Sequence, residues 1–370
     1  MSEEAVGEKQ QHGSIPRGET AGALTSPEER IAAEQTTEAP LRRPVSIAPM
    51  MDWTDRHYRY FMRRITSRVL LYTEMVTTGA IIYGDRDYLL GFHGDEHPLA
   101  LQIGGDDPRA CGESVRIAEA YGYDEYDLNV GCPSDRVRNG AFGACLMARP
   151  AKVARIVEAM KSATDRPVTV KHRIGIDGRE SYEDLADFVR TVSGSGADRF
   201  IVHARIAVLE GLSPKENRRV PPLRYEDVYR LKAEFPYLPI EINGHVDSLE
   251  AIEGHLGRLD GVMVGRAAYD NPYFLASVDR EVYDAGASVP SRREILEAMI
   301  PYVERVVASG RKPRTVYRHM LGLCAAQPGA RRFRRVLSDP RVDEADVGAT
   351  VNEAVSGIPA DILDARRTDG

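Results

Sequence analysis

The chain has 370 residues, 42% hydrophobic and 28% charged, with a net charge of −7 and a pI near 5.8. That length accommodates one large barrel or two ordinary domains, and the acidic balance excludes a generally basic nucleic-acid binder while leaving room for a local basic face. Four cysteines without CxxC pairing, no zinc-type His/Cys spacing, no apolar run of roughly 18 residues and no secretory start predict a soluble cytoplasmic protein without disulfides or metal.

Residues 1–43 are rich in Glu, Ala, Ser, Thr, Gly and Pro and carry eight acidic against five basic residues, the composition of a disordered tail. From Pro44 short apolar runs recur, each followed by a stretch of helical period. The runs are Val45–Ala48, Val69–Thr73, Leu99–Ile103, Glu125–Val130, Val168–His172, Arg199–His203, Ile240–Asn243 and Gly261–Val264. Most read as aliphatic throughout, as strands buried on both faces do. Helices are expected between them, as at Asp107–Tyr121, Ala151–Ala163, Tyr182–Ser193 and Tyr225–Phe235. Eight such alternations predict an α/β fold, a (β/α)8 TIM barrel over 44–284. An open doubly wound sheet is the alternative, though no GxGxxG follows the first strand. Residues 285–290 read as a linker. Helices are then predicted at Ser291–Ala308, with Ser291 and Glu294 at capping-box spacing, and at Thr315–Leu323, Arg331–Leu337 and about Glu344–Ser356. They make a small all-helical domain over 291–356, and the last dozen residues are expected to fray.

In a TIM barrel, chemistry sits at the C-terminal ends of the strands. The residues there are Pro49, Met50 and Met51 after strand one, Gln102 in strand three, and Asn129 with Cys132 after strand four. Lys171 stands in strand five and His203 ends strand six. Asn243, Gly244 and His245 follow strand seven, and Gly265 and Arg266 follow strand eight. The late glycine turns let backbone N–H groups approach an anion. Gln102 both donates and accepts, and Lys171 offers fixed charge to a ring that becomes anionic on reduction. The ring of residues points to a phosphate-bearing heterocycle. Cys132, between Gly131 and Pro133, is placed as an accessible thiol near the mouth, whereas Cys111 and Cys324 read as small buried hydrophobes. Cys145 competes for any thiol role. A cysteine hydrolase using His172 or His203 as base stays open, but leaves Lys171 and the phosphate-type turns unexplained.

Between Arg311 and Arg335 lie Arg311, Lys312, Arg314, Arg318, Arg331, Arg332, Arg334 and Arg335, with no acidic residue among them. That excess suits polyanion binding, with Tyr317, His319 and Phe333 interleaved to stack on bases. Residues 213–219, with Lys215, Asn217 and Arg218, are expected to touch the same ligand.

Several stretches resemble the tRNA-dihydrouridine synthase family, and within it the bacterial A-type subfamily acting on positions 20 and 20a of the D-loop. They are Ala48–Asp55, Leu101–Gly105, Asp127–Ser134, Val170–Gly175, His203–Arg205, Gly211–Arg218 and Arg318–Met320. The resemblance implies an FMN-binding barrel, NADPH as reductant and tRNA as partner. It implies flavin contacts from Pro49, Met50, Met51, Gln102 and Lys171, and ribityl and phosphate contacts from His203, Asn243, Gly244, His245, Gly265 and Arg266. Asn129 would meet the target base. Arg318, Arg331, Arg332, Arg334 and Arg335 would meet the tRNA. Hydride would reach uracil C6 and Cys132 would protonate C5. Two positions depart from the family pattern: His245, where many relatives have a second glycine, and Ile206, where a basic residue is common. A flavin barrel acting on a free pyrimidine and a non-catalytic RNA-binding barrel are the competing readings.

Overall fold

The computed structural model describes residues 44–134, 142–343 and 345–367, so the expected tail over 1–43 lies outside it. Nine parallel strands form the centre: β1 (Val45–Ile47), β2 (Leu71–Tyr72), β3 (Val76–Thr77), β4 (Leu99–Gly104), β5 (Glu125–Val130), β6 (Val168–Arg173), β7 (Arg199–His203), β8 (Ile240–Asn243) and β9 (Gly261–Val264). They pair in the order β1-β9-β8-β7-β6-β5-β4-β2, with β3 also on β4. The ring closes where Ile47 N–H donates to the Leu70 carbonyl at 2.9 Å and Leu70 N–H to the Val45 carbonyl at 3.1 Å. The fold is thus a (β/α)8 TIM barrel with helices following it, as the pattern predicted. One predicted strand is divided. Val69–Thr73 yields only the two residues of β2, because the Thr73 hydroxyl accepts from Gln102 N–H and donates to the Glu74 carbonyl, and pairing resumes at β3.

The strands differ from the uniformly aliphatic expectation in a way that matters for the site. In β5, Tyr126, Leu128 and Val130 face the surrounding helices, while Glu125, Asp127 and Asn129 face the barrel axis. All six are buried. The interior is therefore layered. At its floor Arg199 pairs with Glu125 and, at 3.1 Å, with Glu241. Tyr72 donates to Glu125 at 2.9 Å, and Ser46 donates to Glu241. Above lies a small apolar layer of Ala48, Leu70, Tyr72, Ala100, Ile201 and Met263. The C-terminal end is polar again.

Helices start where the sequence offers caps. Asp55 accepts from His57 and Tyr58 N–H at 2.9 and 3.0 Å and opens the helix Arg56–Arg63, which buries Tyr58, Phe61 and Met62. Fully burying such side chains stabilises by about 1.5–3 kcal/mol each. The Ser291/Glu294 capping box opens Arg292–Ala308 as predicted. Helices Arg314–Met320, Ala330–Ser338 and Val347–Val355 follow, and the described residues belong to one compact unit. The helical segment is docked on the barrel: Tyr302 stacks on Tyr60 with centroids 3.8 Å apart and meets His57 Nδ1 at 2.7 Å. The expected fraying of the last residues is corrected. Ala360–Asp364 is a helix, Leu363 is buried, and Tyr273 donates to the Ala365 carbonyl at 2.8 Å. Among the described residues no helix is long and apolar enough to cross a membrane, and no His, Cys, Asp and Glu cluster could hold a metal.

Candidate active site

A cavity of about 680 Å³ opens at the C-terminal ends of the strands. Every residue expected to hold a cofactor lines it: Pro49, Met50, Met51, Gln102, Lys171, His203, Asn243, Gly244, His245, Gly265 and Arg266. Asn129, Cys132 and Arg218 line it too. The strand order accounts for this convergence, since all but Arg218 lie in the C-terminal half of a strand or at the start of the loop after one, and Arg218 comes from the long loop after β7.

The cavity is built around polar side chains with few protein partners. The Lys171 ammonium donates to Asn243 Oδ1 at 3.3 Å, and Asn243 in turn donates to the Met263 carbonyl at 2.8 Å. Burial pulls the Lys171 pKa down, against the opposing pull of Asp127. His203 is held neutral, its pKa pushed well down by burial and then by Arg173 and Lys171. Its ring has no hydrogen-bond partner among the described residues. Gly244 has φ 132°, and a Cβ there would come within 3.1 Å of the His203 ring, so the turn after β8 requires glycine. The next residue, His245, holds φ 54° without being glycine and stands exposed, 3.7 Å from Asp247.

Cations gather on one side. Burial and then the nearby Arg266 pull the Arg218 pKa down, and Arg173 and Arg205 add to the group. Arg173, the last residue of β6, is a wall residue not among those expected in the site. It donates to the carbonyls of Gly131 at 3.2 Å, Ile206 at 3.1 Å and Asn217 at 2.9 Å, tying the Cys132 loop to the loop after β7. Trp53, Met75 and Ser134 also line the cavity. The helix after β9, Ala267–Asp270, is a single turn, so the anion attraction rests on arginine more than on a helix end.

Cys132 is half-buried in the wall, and its thiol donates to Ser134 Oγ at 3.4 Å. Its backbone N–H donates to Asn129 Oδ1 at 3.0 Å. Cys111 and Cys324 are buried as expected; burial pushes the Cys111 thiol up to about 12 and the Cys324 thiol up to about 11. Cys145 does not line the cavity and donates to the Phe142 carbonyl at 3.0 Å. Residues 135–141, part of the loop expected around Cys145, lie outside the described residues. His172 points away from the mouth between Phe188 and Phe200, so it serves no thiol there.

Several expected RNA contacts are corrected. Asn217 is 0% exposed. Its amide donates to the carbonyls of Val208 at 2.8 Å and Leu212 at 3.2 Å and accepts from Val208 N–H, so it organises its own loop. Tyr317, His319 and Phe333 are buried rather than presented for stacking on bases. His319 and Arg318 instead bind the Asp55 carboxylate, at 3.0 and 2.6 Å. Burial alone would raise Asp55, but His319, the Tyr58 N–H and Arg318 outweigh it and hold the carboxyl well below its usual range. Arg314 and Lys312 pair with Asp343, and Arg332 lies 3.8 Å from Glu353. That leaves Arg311 exposed beside the Tyr88 ring, and Arg331, Arg334 and Arg335 exposed on one helix, none with an acidic partner among the described residues, and Lys215 exposed on the loop after β7.

The dihydrouridine synthase family model matches residues 46–356. The tRNA-dihydrouridine(20/20a) synthase of Synechocystis sp. is 59% identical over 296 residues, 80% of this chain and 89% of that protein. The proteins of the same name from Pseudomonas aeruginosa and Escherichia coli (strain K12) are each 56% identical, over 82% and 80% of this chain and 92% and 85% of their own lengths. Carrying that match over most of its length, on a barrel whose mouth gathers the family's motifs, the chain belongs to the dihydrouridine synthase family.

Proposed function

We propose that this protein reduces uridine to 5,6-dihydrouridine in the D-loop of tRNA, at positions 20 and 20a, using bound FMN and NADPH. One observation carries the reading: a single cavity joins an accessible thiol, an under-partnered lysine and a cluster of arginines at the strand ends. Those donors fit a flavin mononucleotide. Lys171 and Gln102 suit a ring that gains negative charge, and the arginines with the Gly244 and Gly265 turns suit its phosphate. When bound, FMN supplies the hydride for uracil C6, and NADPH restores it.

This chain's residues do the rest. Asn129 holds the base edge, and the Cys132 thiol gives its proton to C5, where negative charge builds. General-acid help of this kind is worth about 100- to 10,000-fold. The target base must leave the tRNA stack to reach the cavity, which costs a few kcal/mol. Phosphate contacts from Arg331, Arg334, Arg335 and Lys215 offset that cost. The experiment is a visible spectrum of the purified protein, followed by turnover of dihydrouridine-lacking tRNA by wild type and Cys132→Ala. A yellow variant that has lost at least about 100-fold in turnover is the expected result. Full turnover by Cys132→Ala removes the thiol from the mechanism. A colourless protein that takes up no added FMN removes the redox reading altogether. Activity on free uracil that is indifferent to salt would instead favour a small-molecule reductase.

A further inference from the structure

Below the cavity, a line of hydrogen bonds runs from the buried interior to the Cys132 backbone. Thr169 Oγ1 donates to Asp127 Oδ1 at 3.0 Å, and Gln102 Nε2 donates to Asp127 Oδ2 at 2.7 Å. Asn129 Nδ2 donates to Gln102 Oε1 at 2.8 Å. Asn129 Oδ1 then accepts from the N–H groups of Gly131 at 3.1 Å and Cys132 at 3.0 Å. Asp127 is 0% exposed and does not line the cavity at the strand ends.

The two ends of this line are chemically unambiguous. A backbone N–H only donates, and the Asp127 carboxyl, though burial raises its pKa to about 7, keeps an accepting oxygen for Gln102 in either protonation state, whereas the amides between them can face either way. With Asp127 at one end and two N–H groups at the other, only one orientation of Gln102 and one of Asn129 satisfies every bond. Reversing either amide sets N–H against N–H, or oxygen against oxygen, in a buried site where an unmade bond is expensive.

We infer that Asp127 is a positioning residue, which sets the direction of the Gln102 and Asn129 amides and through them holds the Cys132 backbone at the cavity wall. It touches neither substrate nor cofactor. Its charge also acts on Lys171, but its hold on Cys132 runs through the two amides, and what that hold requires is an acceptor directed at Gln102. Asparagine can supply that acceptor: its oxygen takes the Gln102 N–H while its own NH2 donates to Thr169, which then donates to Glu125 Oε1, 3.2 Å away. Alanine cannot, and serine is too short to reach. The catalytic consequence rests on Cys132 being the proton donor, whereas the effect on the geometry of Cys132 does not.

The test compares Asp127→Ala and Asp127→Asn in the full-length protein. The first readout is the rate at which Cys132 is alkylated by iodoacetamide in flavin-free protein, followed by peptide mass spectrometry. The second is kcat and KM with dihydrouridine-lacking tRNA. Asp127→Ala is expected to change the alkylation rate severalfold and to lower kcat by about 100-fold with little change in KM, the cost of misplacing a reacting group by about 1 Å. Asp127→Asn is expected to stay within about threefold of wild type in both, since its bonds are preserved. If Asp127→Ala does not fold, Asp127→Ser takes its place with the same expected loss. Loss in Asp127→Asn equal to that in Asp127→Ala would overturn the inference in favour of a charge effect on Lys171. An alkylation rate unchanged in Asp127→Ala or Asp127→Ser would overturn it as well. A changed alkylation rate with unchanged kcat would keep the positioning role and remove Cys132 as the proton donor.

Discussion

The barrel interior has two charged regions, one at its floor and one at its mouth, and they are organised oppositely. At the floor the single cation, Arg199, is enclosed by Glu125, Glu241 and the Tyr72 hydroxyl, all contributed by the chain. At the mouth Lys171 has only the Asn243 amide oxygen as a hydrogen-bond acceptor, with the Asp127 carboxyl acting on its charge from below, and Arg218 and Arg266 lie near each other. Buried charge must be paired or it costs folding energy. The floor meets that requirement from within. The mouth leaves it to be met by an anionic ligand, and so the same residue chemistry is structural in one place and receptive in the other.

Removing the floor cation is the strongest way to break this contrast. Arg199→Met leaves two buried carboxylates uncompensated and is expected to lower folding stability by about 3–5 kcal/mol, seen as a fall in urea midpoint. Retention of wild-type stability would mean the floor is not held by charge pairing.

Acid probes two buried neutral histidines, His172 between Phe188 and Phe200 and His57 against Tyr302. Burial lowers the pKa of His172 and of His57 to about 4 each, below their ordinary 6.5. The unfolded chain therefore binds more protons than the folded one between these values, so stability is full above pH 6.5 and falls as pH drops towards 4. Each histidine is expected to cost about 2 kcal/mol at pH 5. Thermal midpoints should decline from pH 7 to pH 5, and less steeply in His172→Phe, which fits between Phe188 and Phe200.

The mouth gives the smallest effect on folding. Lys171→Met removes a desolvated ammonium and is expected to cost less than about 1 kcal/mol of stability. It should weaken FMN affinity about tenfold, or about 1.4 kcal/mol, measured by quenching of flavin fluorescence. A large loss of stability with unchanged FMN affinity would reverse the assignment of floor and mouth.

Much of this was legible in the sequence. The bounds of β5, β7, β8 and β9 were read without error, because buried runs between helical stretches mark themselves. The strand-end residues found their cavity because barrel topology alone sends them there. The floor network was not legible. Glu125, Thr169, Arg199 and Glu241 lie far apart in the chain and meet only across neighbouring strands, where no local period records them. Tyr317, His319 and Phe333 were misassigned because a basic run hides the apolar face of its own helix; each points inward while the arginines beside it point out. Asn217 looked like a ligand contact because its loop is polar, yet its partners are that loop's own carbonyls.

Closure of the barrel also has a consequence for biosynthesis. β1 begins at residue 45 but completes its pairing with β9, whose last residue is 264. At typical synthesis rates of 5–20 residues per second, β1 emerges roughly 10–40 s before its final neighbour exists. Throughout that interval one edge of the first strand offers unpaired N–H and C=O groups to any other chain. The nascent polypeptide is thus most exposed to mispairing at its earliest strand, and ribosome-proximal chaperones would be most needed there.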